Sequence, residues 1–311
     1  MMDVQTLREP IVYGLAHELG EQQRSFSEID NLDAFLSAHR IPRKPEVYGW
    51  GHHFASSRSV LELGVASAKR TLATSGTDPA EVDLVIFCCI HFPDDKYRSG
   101  AALPALLGEL RTYRALPIGV TLNNCLTLLS ALSLAGGMVA AGRARTALVI
   151  SADKVAGEFE RIHPFAIFSD AAVSCLVTND ESRRGYRIVA ESFHQDPALE
   201  AGATDMTQRQ LYRRVAETLT ARCGRQIGEA QRIFTSNLFR PLVLLKETQP
   251  GWASREQLYL ENVARVGHCN SGDPLLNLET YASETAPQVD DLFILAADAP
   301  GLRGALMLSV A

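Results

Sequence analysis

The chain has 311 residues, of which 46% are hydrophobic and 21% charged, and its formal charge is −6. That size and balance describe a globular protein with room for two core-bearing units and exclude collagenous, low-complexity and disordered classes. Acidic and basic residues are interspersed, so neither nucleic acid nor a membrane is expected as a partner.

The opening "MMDVQTLREPIVYGLAHELG" has no basic region followed by an unbroken apolar stretch, and a cytoplasmic location is expected. Its "EPIVYGLAHEL" reads as a first strand. "SRSVLELGVASAKRTLATSG" has helical periodicity and a Ser-Gly stop. "EVDLVIFCCI" is a run of β-branched and apolar residues, the pattern of a strand buried on both faces. "SGAALPALLGELR" reads as a helix, "ALPIGVTL" as a strand, the segment from Cys125 as a helix, and "RTALVISAD" and "FSDAAVSCLVTND" as strands. The uncharged run from Leu126 to Ala141 falls short of the ~20 residues of a membrane span and is expected inside the protein.

After "NDESRRG" the pattern restarts. "YRIVAESFHQ" reads as a strand, "QRQLYRRVAETLTARCGRQ" as an amphipathic helix, "AQRIFTSN" as a strand and "PLVLLKET" as a helix. "ENVARVGHCNSGDPLLNLETYASETA" reads as a strand or turn leading into a helix, and "DLFILAADAP" with "GALMLSVA" as a closing strand pair. Two α/β halves of unequal length result, residues 1–180 and 181–311.

The chain's six cysteines form no CxxC pair and are expected as thiols. Cys88, Cys89 and Cys175 fall inside strand patterns and read as small core residues. Cys125 differs, because a strand delivers the chain to "NNC" and a helix leaves from it. Unsatisfied N–H groups and the positive end of the helix dipole favour a thiolate there, as a nucleophile requires.

These residues carry a resemblance. "LNNCLTLLSALSLAGGMVAAGRARTALVISADKV" is similar to the nucleophile segment of the β-ketoacyl-acyl carrier protein synthase III branch of the thiolase fold. "FAIFSDAAVSCLV" keeps Phe168 and Asp170 of a later motif of that family. "RIFTSNLFRPLV" stands in the place of its His-Gln-Ala-Asn segment, "RVGHCNSGDPLL" in that of Gly-Asn-Thr-Ser, and "LAADAPGLRGALMLSV" in that of its glycine-rich loop. The resemblance implies an α/β thiolase fold, with two halves in a five-layered αβαβα architecture, and a homodimer.

The departures bear on chemistry. Aligning Asn237 puts Phe234, or Thr235 if the register shifts by one, where the family has its catalytic histidine. Aligning Gly267 puts His268 on the family's catalytic asparagine. Decarboxylative condensation needs donors for the developing thioester enolate, whereas acyl transfer to an alcohol or amine needs one base beside the acyl-enzyme. The expected function is therefore transfer of an acyl group from a CoA or acyl-carrier-protein thioester onto Cys125 and then to a small-molecule hydroxyl or amine, with His268 as base. Decarboxylative carbon–carbon bond formation and a silent partner subunit of a heterodimer are the alternatives.

Asn237, Thr235 and Ser236 are candidate supports. Asp298 and Asp273 are candidates to orient His268, or to serve as surface or capping groups. The resemblance implies an oxyanion hole from the backbone N–H of Cys125 and of Ala299 or Gly301, since Pro300 has none. It also implies carrier or CoA contacts at Arg213, Arg214, Arg222 and Arg240. His52, His53, His91 and His163 read as structural or substrate-contact residues. No metal and no cofactor is expected beyond the CoA or phosphopantetheine carried by the substrate.

Overall fold

A computed structural model of the chain describes residues 9–90, 100–196, 205–248 and 251–311, with 205–208 as backbone. The first half contributes β1 (Ile11–Leu19), β2 (Gln22–Ser25), α1 (Leu32–Ala38), α2 (Pro45–Tyr48), β3 (His52–Ala55), α3 (Val60–Ser75), β4 (Leu84–Cys88), α4 (Ala102–Leu110), β5 (Leu116–Val120), α5 (Thr127–Ala140), β6 (Thr146–Asp153), β7 (Ile162–His163), β8 (Ala166–Ile167) and β9 (Ala171–Thr178). The second contributes β10 (Tyr186–Gln195), α6 (Asp205–Cys223), β11 (Arg232–Phe234), α7 (Arg240–Glu247), α8 (Asn262–Arg265), α9 (Asp273–Thr285), β12 (Leu292–Ala299) and β13 (Leu302–Val310).

Hydrogen bonding among the described residues runs β11-β12-β13-β10-β1-β9-β6-β4-β5. The join in the middle is narrow: β1 meets β10 only at Ile11 with Arg187 and Val12 with Tyr186. Each half repeats one scheme, with β4 parallel to β6 and β6 antiparallel to β9, and β11 parallel to β12 and β12 antiparallel to β13.

Strand alternation sorts the core into layers, because successive side chains leave opposite faces. Leu84, Ile86 and Cys88 of β4 point to the same central core as Phe293, Leu295 and Ala297 of β12. Val85 and Phe87 pack outward beneath α3 and α4. Leu292, Ile294 and Ala296 pack outward beneath α6 and α7. With α5 and α9 filling the central layer, the five layers are αβαβα, as the resemblance implies.

Local chemistry fixes the helices. α3 opens on a capping box in which Ser59 and Glu62 each satisfy the other's backbone N–H, and it stops at Gly76, whose φ of 63° suits glycine. α5 carries no charge and buries most of its length, leaving only Leu134 and Gly137 exposed: Leu128, Leu129 and Leu132 are fully buried, each stabilising the fold by about 1.5–3 kcal/mol. No described helix is long and apolar enough to cross a membrane.

Two stretches differ from the sequence reading. Residues 20–55, read without elements, form the β2–β3 hairpin and the short helices α1 and α2, held by a cluster in which Trp50 packs on Phe26, Tyr48 and Phe239. The segment before α9 holds the helix α8 and then a turn in which Gly267, at φ 79°, lets the chain swing back. His268 then docks on the β8 end, its N–H donating to the Ile167 carbonyl at 2.8 Å and its carbonyl accepting from Ser169 N–H at 2.9 Å.

Candidate active site

β5 ends in a tight turn with Leu122 and Asn124 at φ 77° and 47°. A single 3-10 turn, Asn124–Leu126, then leads straight into α5. The helix proper therefore starts two residues after Cys125, and the thiol sits on the half-exposed lead-in. Leu126 anchors the turn at 3% exposure, and Thr127 ties its hydroxyl to the Asn124 carbonyl at 2.7 Å. Beneath lies Gly304 of β13, where a Cβ would fall 2.7 Å from Leu126 Cδ2 and 2.5 Å from Phe193 Cδ1.

His268 comes from the opposite half. Its Nε2 lies 3.7 Å from Cys125 Sγ, and its Nδ1 donates to Asp273. Asp273, fully buried at the first turn of α9, also accepts from Asn237 N–H at 2.6 Å, Cys269 N–H at 2.7 Å and Asn237 Nδ2 at 3.2 Å. The carboxylate at Nδ1 fixes the ring so that Nε2 faces the thiol. Burial pushes the His268 imidazolium down, but the Asp273 carboxylate and the neighbouring Cys125 outweigh it and hold the group raised to about 10. The ring thus stands between the Cys125 sulfur and the Asp273 carboxylate.

Cys125 and His268 open on a cavity of about 890 Å³. Its walls are apolar where Val155, Phe165, Phe168, Leu238, Leu242 and Leu245 line it, and polar at Ser236, Asn270, Lys246, Asp298 and Arg209. This is the size and lining of a small-molecule site. Among the described residues no cluster of three or more His, Cys, Asp or Glu is placed to hold a metal ion.

Residues 121–197 match the family described as 3-oxoacyl-[acyl-carrier-protein] synthase III. The β-ketoacyl-[acyl-carrier-protein] synthase III of Rhodospirillum rubrum is 33% identical over 157 residues, covering 47% of this chain and 45% of the relative. That of Aquifex aeolicus is 24% identical over 185 residues, covering 57% and 58%. The chain thus spans about half the length of the curated relatives it matches. Among solved structures, ChlB3, described as an acyltransferase, superposes with a TM-score of 0.82 at 19% identity over 97% of this chain and 98% of its own. A single-residue variant of OleA from Xanthomonas campestris gives 0.80 at 14% identity over 97% and 98%, and the 3-oxoacyl-(acyl carrier protein) synthase III of Xanthomonas oryzae gives 0.82 at 14% over 98% and 99%. The protein is ketoacyl synthase III-like and has the thiolase fold.

Within this ketoacyl synthase III-like site the other sequence candidates separate clearly. Phe234 is fully buried against Tyr259, Tyr281 and Phe293, so that position offers no polar side chain to the cavity. Thr235 is buried too, its hydroxyl donating to the Ser236 carbonyl at 3.3 Å. Ser236 does line the cavity, and its buried Oγ has no hydrogen-bond partner among the described residues. Asn237 is a clamp rather than a lining group: its Nδ2 donates to the Gly267 carbonyl at 2.9 Å and its Oδ1 accepts from Asn277 at 2.9 Å.

Asp298 is not the partner of His268, a correction to one of the two candidates. It lines the cavity, but Lys246 takes its Oδ2 and Arg303 stands 3.7 Å from its Oδ1. Asp273 wins because α9 begins at it, directly behind the His268 turn. Ala299, Pro300 and Gly301 all line the cavity at the β12–β13 hairpin, with Gly301 at φ 70°.

Of the arginine candidates, none is among the described lining residues of the cavity. Arg213 pairs with Glu217 at 3.6 Å, Arg214 is exposed, Arg222 donates to the Glu191 carbonyl at 2.6 Å, and Arg240 lies over Gly49. Arg209 and Lys246 hold the cavity positions instead, on the same two helices and unmarked by any local motif. His53 is fully buried with neither ring nitrogen bonded among the described residues, and burial holds its pKa down at about 4. His52 is exposed, and His91 lies outside the described residues.

Sequence reading also missed a buried charge pair behind the cavity wall. Arg303 gives two hydrogen bonds to Glu247, at 2.8 and 2.6 Å, under the rings of Tyr212 and Trp252. The sequence signal is slight: Lys246 and Glu247 close the apolar run "PLVLLKE", and a lone arginine interrupts "LRGALML".

Proposed function

We propose that the protein is an acyltransferase that takes an acyl group from a CoA or acyl-carrier-protein thioester onto Cys125 and passes it to a hydroxyl or amine. The observation that carries this reading is the line Cys125–His268–Asp273, with a buried phenylalanine where the resembling family has its second donor. The Cys125 sulfur, its proton held by His268, attacks the thioester carbonyl. Backbone N–H groups of Cys125 and of Ala299 or Gly301 would receive the oxyanion. As the tetrahedral intermediate collapses, the departing thiolate takes the proton from Nε2, and His268 is left neutral beside the acyl-enzyme. It then accepts the proton of the acceptor as that group attacks, and release of the product restores the Cys125 sulfur and the protonated ring. Asp273 keeps the ring in register through both halves.

Condensation makes a different demand, since loss of carbon dioxide places charge on a thioester oxygen that needs side-chain donors. The unbonded Ser236 hydroxyl supports this second reading. The outer edge of β5, unpaired among the described residues, supports assembly as a homodimer, which we place in the cytoplasm. The test is intact-mass analysis after incubation with acyl-CoA or acyl-carrier thioesters, with peptide mapping to Cys125. The acyl-enzyme is then offered alcohols, amines and malonyl-CoA. Ester or amide formation supports transfer, rapid Cys125-dependent carbon dioxide release with a β-ketoacyl product replaces it with condensation, and failure to acylate leaves the silent subunit.

A further inference from the structure

The cavity holds a second histidine that the acyl-transfer scheme leaves unused. His163 sits on the two-residue ladder of β7 and β8, paired with Ala166. Its ring packs against Phe165 and Phe168, with centroids 5.5 and 4.9 Å away, and Phe168 in turn meets His268 edge-on at 4.7 Å. The two histidines thus flank one phenyl ring and line one cavity. Their surroundings differ. His268 spends both nitrogens on protein groups, whereas the His163 ring has no hydrogen-bond partner among the described residues. Partial burial lowers its pKa, opposed by Glu160 and reinforced by His268, and the neutral ring offers one N–H to donate and one lone pair to accept.

We infer that His163 is a substrate-binding residue whose imidazole holds a neutral donor–acceptor group, either the acceptor's hydroxyl or an amide of the thioester donor, within the cavity shared with Cys125 and His268. The aromatic packing supports this role: the ring forms a mutual cluster with Phe165 and Phe168, themselves 5.9 Å apart, and that contact reduces the freedom a hydrogen bond to it would cost. An uncharged partner also suits a wall where Lys246 already neutralises Asp298.

This inference rests on the acyl-transfer reading, yet its test is direct binding. In a Cys125→Ala background, which cannot turn over, calorimetry would give the Kd of an acyl-CoA and of primary alcohols with His163, His163→Phe and His163→Gln. Phenylalanine keeps the ring packing and removes both nitrogens, while glutamine restores a donor and an acceptor. His163→Phe should weaken one ligand on the order of tenfold, and His163→Gln should recover most of it. Weakened acyl-CoA binding assigns the thioester amide, and weakened alcohol binding assigns the acceptor hydroxyl. Unchanged affinity for both ligands would overturn the inference. So would glutamine as damaging as phenylalanine, or a fall in melting temperature that accounts for the loss. Failure of the unmutated protein to acylate would sink the proposed function and leave this binding measurement standing.

Discussion

The turn before α5 and the turn before α9 occupy matching places in the two halves, yet they are spent differently. Each is a 3-10 turn opening on an asparagine with left-handed backbone, Asn124 at φ 47° and Asn270 at φ 55°. At the second position the first half presents Cys125 to the cavity, and the second half buries Ser271, bonded to Ser151 at 2.8 Å. At the first helical residue the first half has Thr127, which caps its own turn, and the second has Asp273, which gathers four donors and holds His268. One backbone device thus serves two ends: exposing the Cys125 thiol, and anchoring the His268 ring that faces it.

The most severe way to break this pairing is Cys125→Ala, after which acyl-CoA treatment should leave no covalent acyl group by mass spectrometry. Next comes His268→Ala. Transfer to acceptors should fall by a factor on the order of 10² to 10⁴ in steady-state rate, while slow acylation of Cys125 persists because the helix start remains. Asp273→Asn keeps the shape but weakens the hold on the imidazolium. A loss of one charged hydrogen bond predicts roughly 10- to 10²-fold lower kcat/KM.

The same variant sharpens the electrostatic side. Folding raises His268 from an unfolded value of about 6.5 to about 10, so the stability this contributes is complete below about pH 6.5 and lost as the pH rises through about 10. Urea midpoints followed across that window should fall more steeply for the wild type than for Asp273→Asn, which has less to lose. The smallest effects belong to the shared device itself. Asn124→Ala and Asn270→Ala should each cost about 1 kcal/mol in chemical denaturation, because a plain Cβ is disfavoured at positive φ, and the glycine versions should cost only a few tenths.

Much of the frame is legible in the residues. β4 announces itself as an unbroken apolar run because both of its faces are covered, and α3 through its Ser59–Glu62 box and Gly76 stop. Cys125 stands out because a strand and a helix meet there. What the sequence leaves open is settled by distant contacts. Choosing Asp273 over Asp298 depends on where Lys246 reaches, 52 positions away from Asp298. Phe234, which the alignment puts at the histidine position, is turned into the central core at the end of β11, while the candidate support Ser236 faces the cavity. The β2–β3 hairpin goes unread because its four-residue strands have little periodicity and rely on Trp50 and its neighbours for support. Glu247 and Arg303 are 56 residues apart and become a pair only when α7 covers β13.

Gly304 makes the nucleophile adjustable from elsewhere in the chain. The missing Cβ leaves the space into which Leu126 and Phe193 settle, and Leu126 is the residue that seats the thiol-bearing turn. A methyl group introduced there would press on the ends of both side chains and displace the Cys125 turn, leaving His268 and Asp273 in place. The last strand therefore works as a set-screw on how far Cys125 reaches into the cavity.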